Sequence, residues 1–408
     1  MSKRVVITGI GLETAFGETW EDNRQGIINR ENAVRFMKEW QDIEGLVTRL
    51  GAPCDSFKLP EHYTRKKIRS MSRVSQLATR SAELALIDSN LLEDPFIKSG
   101  DLGIAYGSSF GSIYAVEDFA NILMNKNTGD LTANSYVKMM PQTAPVNISL
   151  FFGITGRIIP TCTACTSGSM AIGYAYETIK SGLQTAMLAG GAEELSACDA
   201  AVFDTMFATS TQNNSPKLTP APFDKNRDGL VIGEGAGTVI LEEYEHARSR
   251  GAKIYGEITG FYTNSDATHI TAPNKKTIEY CIASSLKAAG LSPSDIGYIS
   301  AHGTGTSLGD IAETQATYNV FGSRPYISSL KSYFGHTLGA CGAVEAIFAT
   351  RMMNEGWFNP NLNLREVDPQ CGDLNYIRDD IKELDVEFIQ SNNFAFGGIN
   401  TSLIIKRI

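Results

Sequence analysis

The sequence predicts an α/β protein made of two similar halves. Short apolar runs alternate with longer helical stretches along the whole chain, which is the pattern of α/β layers. Two helices rich in Gly and Ala and poor in charge recur, one in each half. A charged stretch at 242–253 reads as an exposed helix leading into a connection. These observations divide the chain into 1–250 and 251–408.

The first strand is expected at 5–9. It opens with Val5-Val6-Ile7 and soon meets Glu13, so it reads as a buried strand and not as a secretory signal. A helix is expected at 68–89, a strand at 102–107, a helix at 165–181, and strands at 186–191 and 237–241. Beyond the charged connection the expected order is strand 254–261, helix 277–289, strand 298–302, helix 310–321, strand 326–330, helix 339–354 and strand 399–405. The stretch Cys165-Thr-Ser-Gly-Ser-Met-Ala-Ile-Gly is similar to Gly335-His-Thr-Leu-Gly-Ala-Cys-Gly-Ala. Helices with so few large or charged side chains suit a central layer where backbones pack closely on several sides. A repeat of one α/β unit is therefore expected.

Composition narrows the class. Of the 408 residues, 42% are hydrophobic and 20% charged, an ordinary globular mixture with ample core. The net charge of −9 argues against a protein built to hold nucleic acid or an anionic membrane. No apolar run reaches the roughly 18 residues needed to span a bilayer. Seven scattered Cys do not form a disulfide framework, and a reducing, cytoplasmic setting is expected.

Several short motifs fail on spacing. Gly9-Ile-Gly11 follows a strand, but the third glycine of a dinucleotide fingerprint falls on Thr14. Asp224-Lys-Asn226-Arg-Asp228-Gly229 copies the start of a calcium loop, yet Gly235 stands where a bidentate Glu is needed. Cys162-Thr-Ala-Cys165 has redox spacing without a second such pair. Gly305-Thr-Ser307-Leu-Gly309 matches a serine nucleophile elbow, but His336, the last His, follows Ser307 closely and leaves little room for the rest of that fold.

The chemistry-bearing residues sit elsewhere. Two of only five His end strands: His302, in Ile-Ser-Ala-His302-Gly-Thr-Gly-Thr, and His336, in Leu-Lys331-Ser-Tyr-Phe-Gly-His336. Residues at strand C-termini of α/β sheets face the ligand crevice. Cys165 stands at the start of the first Gly/Ala helix, where unpaired N–H groups and the helix dipole are expected to lower its pKa. The other six Cys read as inert buried thiols.

These motifs resemble the β-ketoacyl-ACP synthases of types I and II. The resemblance is carried by Thr-Ala-Cys165-Thr-Ser-Gly-Ser, Ala-His302-Gly-Thr-Gly-Thr, Leu-Lys331-Ser-Tyr-Phe-Gly-His336-Thr-Leu-Gly-Ala, Pro222-Phe-Asp-Lys-Asn-Arg-Asp-Gly-Leu-Val-Ile-Gly-Glu-Gly-Ala-Gly237 and Asn393-Phe-Ala-Phe-Gly-Gly-Ile-Asn400, in that family's order. It implies a thiolase-like fold of two α/β halves in five layers, α-β-α-β-α. It implies Cys165 as the acyl-accepting nucleophile, His302 and His336 as paired imidazoles, and Lys331 and Glu345 as supporting charged residues. The backbone N–H groups of Cys165 and Phe396 are expected to form an oxyanion hole, and Phe396 to gate the acyl pocket. The third synthase class uses Cys-His-Asn; Lys331 and the second His exclude it here. The resemblance implies decarboxylative condensation of an acyl group on Cys165 with malonyl-ACP, with no metal or organic cofactor.

The implied partner is acyl carrier protein, and the implied assembly a homodimer or a heterodimer with a related subunit. An acidic carrier needs a local basic patch. Arg65, Lys66, Lys67, Arg69 and Arg73 supply one, with Lys66, Arg69 and Arg73 expected on one helix face as the docking residues. Phe110 is expected at the acyl-pocket wall. Ser307, Cys341 and Ala395 depart from the common pattern, where Pro, Ala and Gly are frequent. The details loosely resemble the aryl polyene subgroup. Two other readings remain open at this point: a serine hydrolase using Ser307, and a non-catalytic carrier-binding subunit.

Overall fold

The computed structural model describes residues 2–129 and 131–408. Eleven strands form one continuous sheet, numbered here in chain order with the helices that pack on it. The first half contributes β1 (Val5–Glu13), α1 (Arg65–Ile68), α2 (Arg73–Asp88), β2 (Leu102–Gly107), α3 (Thr143–Phe152), β3 (Ile158–Thr161), α4 (Ser167–Lys180), β4 (Ala186–Glu193) and β5 (Gly235–Glu243). The second half contributes β6 (Gly256–Ser265), α5 (Lys275–Ala289), β7 (Ile296–Ser300), α6 (Ser307–Phe321), β8 (Tyr326–Ser328), α7 (Lys331–Phe334), α8 (Cys341–Glu355), β9 (Asn375–Tyr376), β10 (Phe388–Ala395) and β11 (Ile399–Lys406).

The strand order is β9-β8-β7-β10-β11-β6-β1-β5-β4-β2-β3. Read outward from the centre, the first half runs β1-β5-β4-β2-β3 and the second β6-β11-β10-β7-β8. The two orders are the same topology. Directions agree as well: β2 is parallel to β3 and β4, and β7 is parallel to β8 and β10. Within the sheet, among the described residues, the halves join through three residue pairs, Val5–Ile7 with Ile258–Gly256. So short a seam lets the sheet fold back on itself. Helices α4 and α8 pack on each other and on strands of both halves, filling the space between. Helices α2 and α3 cover the outer face of the first half, and α5 and α6 that of the second. The result is five layers, a thiolase-like arrangement.

The central layer explains its own composition. A Cβ on Gly168 of α4 would meet the Ala343 nitrogen at 2.8 Å, and one on Gly342 of α8 would meet the Ser169 nitrogen at 2.6 Å. Each helix start is pressed against the other, and only glycine fits. Both helices are entered through a one-turn 3-10 segment, Ala164–Thr166 and Leu338–Ala340. Ala164 and Leu338 each hold the left-handed region, with φ of 49° and 45°. The repeat thus superposes Cys165 on Gly339, four residues on from the Gly335 start expected from sequence.

The expected helix 68–89 is two helices. Ser72 caps α2 through a box with Ser75, which breaks the chain between Ile68 and Arg73. Lys66, Arg69 and Arg73 therefore do not share one helix face. Among the described residues, no helix is long and apolar enough to cross a membrane.

Candidate active site

Cys165, His302 and His336 come from three connections that leave the sheet at the C-terminal ends of β3, β7 and β8. Their ligand-capable atoms lie within 4.8 Å of one another, all buried. Cys165 is set by its turn: Thr161 donates its hydroxyl to the Ser167 carbonyl at 2.9 Å, and the Thr163 N–H donates to the Ser167 hydroxyl at 3.0 Å. The backbone N–H groups of Phe396 and of Cys165 itself lie near the Cys165 sulfur and favour its thiolate form. Phe396 is placed by the β10–β11 hairpin, whose Gly397 and Gly398 take φ of 87° and 74°.

The expected low pKa of Cys165 is not what the site gives. Burial pushes the thiol up to about 11, against the opposing pull of Lys331 and the two N–H groups. Cys165 sits in the 3-10 turn ahead of α4, fully enclosed, and the lost hydration of a thiolate outweighs the dipole. The thiol is therefore neutral near pH 7.

The two imidazoles have fixed tautomers. His336 Nδ1 accepts the Leu338 N–H at 3.3 Å, a contact made by the left-handed turn at Leu338. His302 Nδ1 faces the Lys331 ammonium at 3.3 Å. With donors at both Nδ1 atoms, each ring carries its proton on Nε2. His336 Nε2 is buried without a protein partner, and both rings line one cavity of about 210 Å³ that also holds Cys165. Burial, with Lys331 adding to it, holds both imidazoles well below their usual range, so both are neutral.

Lys331 is wholly buried. Its ammonium donates to Glu345 and to the His302 carbonyl as well as facing His302 Nδ1. Burial alone would push its pKa down; the Glu345 carboxylate outweighs that and leaves it raised. Two clusters have enough His, Cys and Glu to invite a metal: Cys165 with both His, and His302 with Cys341 and Glu345. A metal-bound imidazole gives its remaining N–H to an acceptor. Here Leu338 and Lys331 put donors behind the rings, which disfavours a metal at either Nε2.

Comparison with known proteins settles the family. The β-ketoacyl synthase N-terminal domain matches residues 2–247, and its C-terminal domain residues 255–365. The chain belongs to the β-ketoacyl synthase family. It is 36% identical to the 3-oxoacyl-[acyl-carrier-protein] synthase 2 of Synechocystis sp., over 99% of this chain and 98% of that one. A crystal structure of a β-ketoacyl synthase from Burkholderia phymatum is 55% identical with a TM-score of 0.98, and each chain covers the other completely. A type II polyketide ketosynthase in complex with its acyl-carrier protein is 28% identical with a TM-score of 0.89, again over the whole of both chains. This synthase is an acyl-transferring condensing enzyme, and the hydrolase and non-catalytic readings are not favoured.

Other expected site residues of the synthase are placed unevenly. Ser307 is exposed at the cavity mouth as the first residue of α6, and among the described residues no His bonds its hydroxyl. Phe110 is 42% exposed and does not line the cavity. The aromatic lining of the cavity is Phe203, Phe394 and Phe396, with Phe207 exposed at its rim, and the Phe203 and Phe396 rings are tilted to each other 5.2 Å apart. Lys66 and Arg69 are exposed. Arg73 is not free to dock: it holds Glu234 at 2.5 and 2.7 Å and the Cys54 carbonyl at 3.0 Å.

Three site residues escaped the sequence reading. Glu313 on α6 accepts the His302 and Gly303 N–H groups, each at 2.7 Å, and so fixes the His302 turn. Leu338 sets the His336 tautomer through backbone alone and leaves no side-chain signal. Asn393 donates to Glu345 at 2.7 Å. Its signal was present: a run of Asn and Gln inside an apolar C-terminal stretch implies buried polar partners.

Proposed function

We propose that the synthase carries an acyl group on Cys165 and joins it to the enolate of a malonyl thioester, both delivered by acyl carrier protein. The observation that carries this reading is the pair of Nε2–H imidazoles, neutral and facing the cavity beside the thiol. In the first half-reaction the Cys165 sulfur attacks the acyl thioester. The oxyanion forms against the N–H groups of Cys165 and Phe396. The carrier thiolate leaves and takes up the thiol proton, so no base is required at either His. In the second, malonyl decarboxylation puts negative charge on the thioester oxygen. His302 and His336 donate to it from Nε2, and their fixed tautomers make the donors ready before the charge appears. The enolate carbon then attacks the Cys165 acyl thioester, the C–S bond breaks, and the β-ketoacyl chain stays on the carrier. Lys331, held by Glu345, keeps His302 oriented.

In this reading the half 1–250 supplies the nucleophile and the half 251–408 the imidazoles and Lys331. Lys66 and Arg69 are the docking residues for an acidic carrier; their exposure and charge support this. Flat, conjugated acyl groups suit a lining of the Phe203, Phe394 and Phe396 rings, in keeping with the aryl polyene subgroup. The exposed apolar side chains Phe110, Tyr114, Leu123, Met124, Tyr136 and Leu150, all in the segment between β2 and β3, support a dimer that covers apolar surface there. All seven Cys are free, which suits a reducing, cytoplasmic setting.

The test is substitution of the imidazoles. His302→Ala and His336→Ala are each expected to slow malonyl-ACP decarboxylation by about 100-fold or more, the scale of losing one oxyanion donor. Loading of Cys165 from acyl-ACP is expected to suffer less. Lost loading with retained decarboxylation overturns the roles given to the two His.

A further inference from the structure

Asn393 lies on β10 at the back of the site, fully buried and outside the cavity lining. Its Nδ2 donates to Glu345 Oε2 at 2.7 Å, faces His302 Nδ1 at 3.4 Å, and lies 3.7 Å from Cys341 Sγ. The amide orientation follows from the network: turned over, Oδ1 would meet the carboxylate at 2.7 Å. Oδ1 instead has no partner at all. A buried amide that leaves its oxygen unsatisfied is held for its donors. Space is made for it, since a Cβ at Gly342 would come within 2.8 Å of Oδ1. Lys331 gives two N–H to Glu345 and the His302 carbonyl, and its third shares the single Nδ1 lone pair of His302, at 3.3 Å, with the Asn393 amide at 3.4 Å. Asn393 therefore braces the same two acceptors, Glu345 and His302 Nδ1, from the other side.

We propose that Asn393 is a positioning residue for the condensation: bonded to Glu345, it presents a second and uncharged N–H to His302 Nδ1 and so keeps the His302 proton on Nε2, facing the cavity. The proposal rests on the reading of His302 as a donor to the enolate. An uncharged donor fixes the tautomer without adding a second positive charge next to Lys331. An Asp at this position withdraws the donor. Set 2.7 Å from Glu345 it must share a proton with that carboxylate, and it has no N–H left for His302 Nδ1.

The experiment uses the full-length enzyme labelled with ¹⁵N-histidine, and His302→Ala to assign the His302 signals. In the unaltered enzyme the His302 proton is expected at Nε2. In Asn393→Asp it is expected to be spread over Nε2 and Nδ1, and malonyl-ACP decarboxylation is expected to fall about tenfold or more, the scale of losing a group that orients an imidazole. Acyl loading of Cys165, measured by intact mass, is expected to change less than twofold. Asn393→Leu removes both donors with little change of volume and is expected to give a mixture of tautomers and an intermediate rate; it also serves if the Asp variant does not fold. A His302 proton still on Nε2 in whichever variant folds, with decarboxylation within twofold of the unaltered enzyme, overturns the proposal. Retained decarboxylation in His302→Ala overturns the reading beneath it, so the two failures are distinct.

Discussion

Lys331→Met separates what the buried ion pair does for the fold from what it does for the reaction. The Lys331 and Glu345 side chains are each 1% exposed, so water cannot replace a lost partner. Removing the ammonium leaves Glu345 with only the Asn393 amide, and breaking a buried pair from one side costs about 3–5 kcal/mol. The carboxyl limits that cost by taking a proton, in the direction burial already pushes it. His302 loses its cationic donor at Nδ1, so its proton is no longer held on Nε2 alone. Malonyl-ACP decarboxylation, followed as released CO₂, is expected to fall by about 100-fold or more if the His302 donor is lost. Adding Glu345→Gln removes the unpaired charge. Thermal unfolding of the double variant should recover most of the lost stability while decarboxylation stays low. A Lys331→Met enzyme that decarboxylates within threefold of the unaltered one refutes the reasoning, as does a double variant that regains activity.

Two further predictions concern Cys165 and the carrier. Since burial raises the Cys165 thiol to about 11, its alkylation by iodoacetamide in the empty enzyme should climb about tenfold per pH unit past 9, the usual thiol value; a plateau near pH 9 contradicts the burial argument. The sign for stability is the reverse: the folded state keeps a proton that the unfolded state loses above pH 9, so this group destabilises the fold as pH rises from 9 toward 11. Reversing Lys66 and Arg69 to Glu should raise KM for acyl-ACP and spare a short acyl-pantetheine, with the wild-type advantage shrinking in salt because exposed charges are screened over about 8–10 Å. Equal damage with both substrates means the patch serves the fold.

How much of this was legible beforehand depends on whether side chains or backbone carry the information. Strand β2 and the apolar cores of β1, β4, β5, β6 and β11 were read from hydrophobic runs, and the two Gly/Ala helices from composition. Strand β10 was missed because Gln390-Ser-Asn-Asn393 interrupts the apolar run; it is a buried strand in which Gln390 bonds Ser285 and Asn393 bonds Glu345, while the Ser391 and Asn392 side chains have no partner among the described residues. Helix α3 was also missed, since its Thr-Ala-Pro start and apolar faces show little amphipathic period. Cys165, His302, Lys331 and His336 announced themselves as polar residues at strand ends. The Leu338 turn did not, because a backbone N–H at positive φ has no letter of its own. The docking helix was overdrawn: a run of basic residues does not reveal that one helix stops at Ile68 and that Ser72 caps the next. Phe110 lies outside the cavity around Cys165, in the loop after β2, where packing and not residue type decides what lines a pocket.

The central claim is that Cys165 is the atom on which the acyl chain waits. Intact and peptide mass spectrometry after incubation with acyl-ACP, without malonyl-ACP, tests it most directly. The account predicts one acyl group per chain, on the peptide containing Cys165, absent in Cys165→Ala and discharged when malonyl-ACP is added. An adduct on Ser307, or β-ketoacyl product formed at the unaltered rate by Cys165→Ala, would contradict it.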